Sequence, residues 1–152
     1  MSELTKIYGC IEGAFGSTHD WNALYLRNQE VIKALPLQDT WPPLVRSMFA
    51  VPMPGNGSIK RIDFYRIQMI HFGASFNHFA DVWSLWLAKF ESLLKQLYWH
   101  RVQLHLSVEL YGAYEYLWEV SSEVVQGFYT EAPTPPQDWC FTGGPRSFEQ
   151  ET

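Results

Sequence analysis

Three features of the sequence predict a single α+β domain, a mostly antiparallel sheet of about five strands with two main helices packed on one face. Residues 78–99, "HFADVWSLWLAKFESLLKQLYW", repeat apolar side chains at steps of three and four. Residues 101–120 alternate apolar and polar side chains on either side of a glycine. The chain has 152 residues, 47% of them hydrophobic and 16% aromatic. A chain of that size buries about 70% of the surface it exposes when unfolded. The compact part is expected over residues 1–130, with a Pro/Gly-rich irregular segment, 131–152, packed on the same domain.

The elements follow in order. "KIYGCIEGAF" (6–15) reads as a first strand with a bend or bulge at its glycines. "STHDWNALYLRNQEVIKALP" (17–36) reads as a helix that Ser17 or Thr18 caps and Pro36 stops, with Leu24, Leu26, Val31, Ile32 and Leu35 as its apolar stripe. Residues 37–57 contain a turn of helix and a short strand around Met48–Val51, then the glycine-rich "PGNGS" loop (54–58). Residues 58–76 are strand-like, either one long strand or a hairpin arm broken near Asp63. The 78–99 helix comes next, with Glu91 and Lys95 in the favourable i, i+4 order. Two strands and the tail complete the order. Trp139, Cys140 and Phe141 are expected to pin the tail's middle to the body.

The formal charge is −5 at pH 7, and "IKR" (59–61) is the longest basic cluster. An acidic surface disfavours a phosphate backbone, so nucleic-acid binding is set aside and a basic partner suits the chain better. No stretch of 18 uncharged apolar residues suggests a membrane span. "MSELTKIYG" lacks an apolar signal region, and the two cysteines, Cys10 and Cys140, form no metal-type spacing. The expectation is a cytoplasmic protein without a cofactor.

In 101–120, Val102, Leu104, Leu106, Val108 and Leu110 share a face, as do Tyr114, Tyr116, Trp118 and Val120. These faces coincide only if directly paired residues have numbers summing to an even value. A two-residue Gly112–Ala113 loop fails that test, since it sets Leu110 against Glu115. A loop of 110–112 gives Gly112 the left-handed third position and places Glu109 against Ala113, Ser107 against Glu115 and Gln103 against Glu119. A loop of 111–113 places Glu109 against Glu115 and His105 against Glu119. Turn chemistry favours the first. The carboxylates then have three readings, a solvated sheet face, a partner-binding face, or a catalytic pair that needs the poorer turn.

Other chemistry is weakly signalled. The five histidines (His19, His71, His78, His100 and His105) form no H-E-x-x-H, and His105 and Glu109 stand about 13 Å apart along a strand. "PGNGS" and "TGGPR" (142–146) lack the context of a phosphate loop. No nucleophile elbow is present, so no catalytic residue and no metal ligand is assigned and the protein is not expected to be an enzyme.

With its "IYGCIEG" opening strand, "WSLWLAKFESLLKQLYW" helix and "YLWEVSSE" strand, this small acidic chain resembles, in general character and without a shared motif, the immunity proteins of bacterial polymorphic and contact-dependent toxin systems. That resemblance implies inhibition by binding, with the protein covering the active site of a basic toxin. The hairpin's outer face supplies the candidate contacts, Glu109, Glu115 and Glu119 around Leu117 and Tyr111. Two rival readings are a small-molecule-binding domain or small enzyme with a pocket between the sheet and the Pro-rich segments, and a homodimer that uses the sheet face.

Overall fold

The computed structural model describes residues 3–15, 21–51, 67–128 and 133–148. These form one α+β unit. Its strands are β1 (Leu4–Phe15), β2 (Phe49–Ala50), β3 (Ile67–Asn77), β4 (Trp99–Val108), β5 (Gly112–Glu119) and β6 (Cys140–Gly143). They make one six-stranded sheet in the order β2-β3-β1-β4-β5-β6, antiparallel throughout. The helices are α1 (Trp21–Lys33), α2 (Trp83–Leu94) and the short α3 (Ser122–Gly127). No described helix is long and apolar enough to cross a membrane.

Strand alternation builds the core. Ile7 and Ile11 of β1, Ile70 and Phe72 of β3, Val102, Leu104, Leu106 and Val108 of β4, and Tyr116 and Trp118 of β5 are all buried on one face. Helix α2 lies across them with Trp83, Trp86, Leu87, Phe90, Leu93 and Leu94. Phe90 meets Phe72 on β3 and Trp118 on β5, and Trp83 meets Tyr116. Each fully buried tryptophan also needs an acceptor for its indole N–H. Trp83 donates to Pro145 O, Trp86 to Pro43 O, Trp99 to Leu94 O and Trp118 to Glu91 Oε2.

Helix α1 packs on the same face. Its buried side is Leu24, Tyr25, Asn28, Gln29 and Ile32, while Leu26 of the expected stripe is exposed. The expected Ser17 or Thr18 cap, the possible break near Asp63 and the "PGNGS" loop lie outside the described residues. The first strand shows the irregularity its glycines suggest, with register shifts after Glu12 toward both neighbours.

Four details depart from expectation. The long helix is shorter than 78–99 at both ends: His78 has φ 56°, a 3-10 turn covers Ala80–Val82, and α2 runs from Trp83 to Leu94. After it the backbone of Tyr98 bonds to Asn28, its N–H donating to Oδ1 and its carbonyl accepting from Nδ2. Glu91 takes Arg146 and Trp118 as partners in place of Lys95, whose ammonium lies 6.0 Å from the Trp139 ring. The tail contributes a sixth strand, β6, which pairs Phe141 with Trp118 and Cys140 with Glu119. The hairpin has an odd loop, as required, but the loop is 109–111, so the register differs by two residues from the one turn chemistry favoured.

Arg101 now faces Glu119 and His105 faces Glu115. Opposite charges directly across a strand pair are worth about 0.2–1 kcal/mol each. Tyr111 N–H closes the turn on Val108 O at 3.0 Å, and the ring of Tyr111 packs on Phe148. Leu110 bears the cost, with φ at 77°, and Gly112 follows at 121°.

Candidate functional site

The opposite sheet face is polar, and of the described elements none lies over it. Alternation turns Lys6, Tyr8, Cys10 and Glu12 of β1 outward, against Ile7 and Ile11 inward. Pairing then sets side chains in rows across the strands. One row runs Gly73, Tyr8, His105, Glu115. The next runs His71, Cys10, Gln103, Leu117, Thr142, and a third runs Met69, Glu12, Arg101, Glu119, Cys140.

The expected contacts divide between two places. Glu115, Leu117 and Glu119 share this outer face, whereas Glu109 and Tyr111 belong to the hairpin turn. Glu115 is the most solvent-facing of the paired carboxylates, its side chain 81% accessible, and Oε1 lies 3.4 Å from His105 Nδ1. Glu115 and Glu119 are four residues apart on one strand, about 13 Å. Each faces a basic partner across the hairpin, so the register forms no carboxylate pair.

Sequence reasoning missed the centre of this face. Tyr8 is 53% exposed, and its ring stacks on His105 with centroids 5.0 Å apart and planes at 13°. The signal was present in the alternation of "KIYGCIE", where isoleucines and a glycine interleave with Lys6, Tyr8, Cys10 and Glu12. Two shallow grooves flank the ridge of Gln103 and His105. One, of about 390 Å³, is bordered by Tyr8, Gly9, Cys10, His71 and Phe72. The other, of about 410 Å³, is bordered by Arg101, Glu115, Leu117 and Thr142.

The electrostatics are mixed. Glu12, Glu115 and Glu119 face outward alongside Lys6 and Arg101. Arg101 Nε is buried without a hydrogen-bond partner, and its row neighbours are Glu12 and Glu119. His100 occupies the register irregularity beside Gly13, donates from Nδ1 to that residue's carbonyl at 3.1 Å, and holds Nε2 3.7 Å from Glu12. Burial and then the neighbouring Glu12 charge push the Cys10 thiol up to about 11, so it is protonated at neutral pH. Cys10 and Cys140 are both free thiols, in different rows and separated by β4 and β5. No group of three or more His, Cys, Asp or Glu among the described residues is placed to hold a metal.

No protein-family model, curated protein or solved structure matches this chain.

Proposed function

We propose that this chain is a noncatalytic protein-binding protein, an immunity protein that neutralises a bacterial toxin in the cytoplasm by covering its active site with the outer face of the sheet. The observation that carries the reading is that face itself. It spans β3, β1, β4, β5 and β6, is uncovered by any described element, and presents a fixed aromatic, Tyr8, among outward carboxylates. Its concavities are shallow and open, a shape suited to a protein surface more than to an enclosed small ligand. Exposed Glu115 and Glu119 would speed the approach of a basic toxin, and the half-exposed aromatic would supply affinity once water is excluded.

The enzyme reading draws on one contact, His105 beside Glu115 at the edge of a groove. Glu115 is solvated there, its side chain 81% accessible, and no third acid–base group completes the pair among the described residues. The small-molecule alternative finds a concavity of about 530 Å³ between the end of β5 and the Pro-rich tail, bordered by Glu119, Val124, Asp138, Trp139 and Cys140, but it is open to solvent. Carbonyls of the Pro-rich segments accept from Trp83, Trp86, Tyr98 and Lys89.

The test is capture from native lysate at low and high salt, read by mass spectrometry. One stoichiometric basic protein, released by high salt, is the expected result. Absence of any protein partner together with a co-purifying small molecule would overturn the reading.

A further inference from the structure

Gly73 poses a question that the fold does not answer. It sits in the interior of β3, on the outer face, where glycine weakens a strand and often marks the close approach of another group. Neither backbone nor space demands it. Its φ is not in the left-handed region, and an added Cβ would meet Ile7 O at 3.4 Å and Tyr8 Cβ at 3.6 Å, both ordinary contacts. A side chain there would fit the strand and would lie against Tyr8.

What the missing side chain leaves open is one face of the Tyr8 ring. The other face is stacked on His105, which Glu115 holds from β5. Among the described residues the ring is therefore a platform stacked on one side only, with His71 and Gln103 lining the adjoining groove along the Cys10 row. An aromatic face attracts cations, and a planar guanidinium both stacks on it and donates from its edges. Gln103 offers an amide oxygen in the same groove. Glu12 lies two positions beyond Cys10 and four from Tyr8 on β1, and its charge acts on Cys10, which lines that groove. Lys6, on the far side of Tyr8, is the opposing cation, and it is exposed, with a long stem that lets its ammonium withdraw into water.

We propose that the outer face at Tyr8, beside this groove, receives an arginine side chain of the partner protein, its guanidinium lying on the Tyr8 face that looks toward Gly73. The inference rests on the reading of the outer face as a protein-binding surface and names the residue type that surface selects. Lysine, a compact and strongly hydrated charge, fits the platform less well.

The test is an NMR titration of the full chain at low salt with two probes, acetyl-Gly-Arg-Gly-amide and its lysine counterpart. The arginine peptide should shift the Gly73 amide and the Tyr8 ring saturably, and the lysine peptide should do so at least about threefold more weakly. Tyr8→Leu should abolish these shifts. Gly73→Val should also abolish them while leaving the thermal midpoint unchanged or higher, since a β-branched residue suits a strand. Unchanged peptide binding by Tyr8→Leu or Gly73→Val would overturn the proposal. Shifts confined to Glu115 and Glu119 would sink the arginine groove but leave the acidic face as the docking surface. Shifts nowhere on the outer face would count against both.

Discussion

Asn28 is fully buried, and its amide makes three hydrogen bonds. Nδ2 donates to Gln68 Oε1 at 2.8 Å and to Tyr98 O at 2.9 Å, and Oδ1 accepts from Tyr98 N–H at 2.8 Å. Gln68 passes the connection on by donating to Tyr25 O. This one side chain ties α1 to β3 and ends the path of the chain out of α2. Gly13 makes room for it, since a Cβ there would come within 2.9 Å of Gln68 Oε1. Deleting the amide strands several buried polar groups, and an unsatisfied buried group costs about 1–3 kcal/mol. Asn28→Ala is therefore expected to lower stability by about 2–3 kcal/mol in urea unfolding, with the slope unchanged. A loss under about 0.5 kcal/mol would mean that water replaces the amide. None of this was legible in the sequence, where Asn28 breaks an apolar stripe and looks like a surface residue. Its partners lie 40 and 70 positions away, and periodicity along one helix carries no information about them.

The β4–β5 hairpin shows how far local rules reach. Alternation determined that the loop must be odd and that Val102, Leu104, Leu106, Val108, Tyr116 and Trp118 face the core, and both hold in the structure, but Leu110, assigned to the same face, lies in the turn. The register itself was not legible, because turn preference alone puts Gly112 inside the loop. The observed pairing sets Arg101 against Glu119 and His105 against Glu115, and Phe148 from the tail packs on Tyr111 and Tyr114. Those contacts outweigh a leucine in the left-handed region, which costs about 1–2 kcal/mol. Leu110 is 87% exposed, so little packing is lost with its side chain. Leu110→Gly should then raise stability by up to about 1 kcal/mol, after the extra entropy of glycine in the unfolded chain is deducted. A fall in the thermal midpoint would show that Leu110 contributes packing the structure does not reveal. The C-terminal boundary of α2 teaches a similar lesson. Leu97, Tyr98 and Trp99 continue the apolar run of the helix, yet Tyr98 bonds to Asn28 and Trp99 opens β4.

At the scale of the whole molecule, the sheet separates a packed side from an open one. The packed side is closed by proline-rich straps whose carbonyls receive the buried aromatic donors. Pro145 O accepts from both Trp83 Nε1 and the Tyr116 hydroxyl, and Arg146 then pairs with Glu91 on α2. Burial is the main reason the Tyr116 hydroxyl rises from 10.0 to about 12. A raised acid constant means that the folded state favours the neutral form. The contribution of Tyr116 is thus whole below pH 10.0 and lost as the pH climbs toward about 12. Tyr116→Phe should remove that part of the alkaline loss of stability while costing about 1 kcal/mol at pH 7 through the missing hydrogen bond. Identical alkaline profiles for the two proteins would place the loss elsewhere. The α+β class and two helices on one face were legible at this scale, because each follows from periodicity and composition. The sixth strand was not, since "CFTG" is short and bounded by prolines and glycines, and only pairing with β5 makes it a strand.

The open side is where function is placed, and the charge-reversed pair Glu115→Lys/Glu119→Lys tests it most directly. Reversal removes the cross-strand pairs with His105 and Arg101, so the thermal midpoint should fall by several degrees with the protein still folded at room temperature, while capture of the basic partner at low salt weakens by about tenfold or more. The difference between variant and parent should shrink as salt screens the face. A folded double variant that holds the same partner with the same salt dependence would contradict the account and remove this face of the sheet as the binding surface.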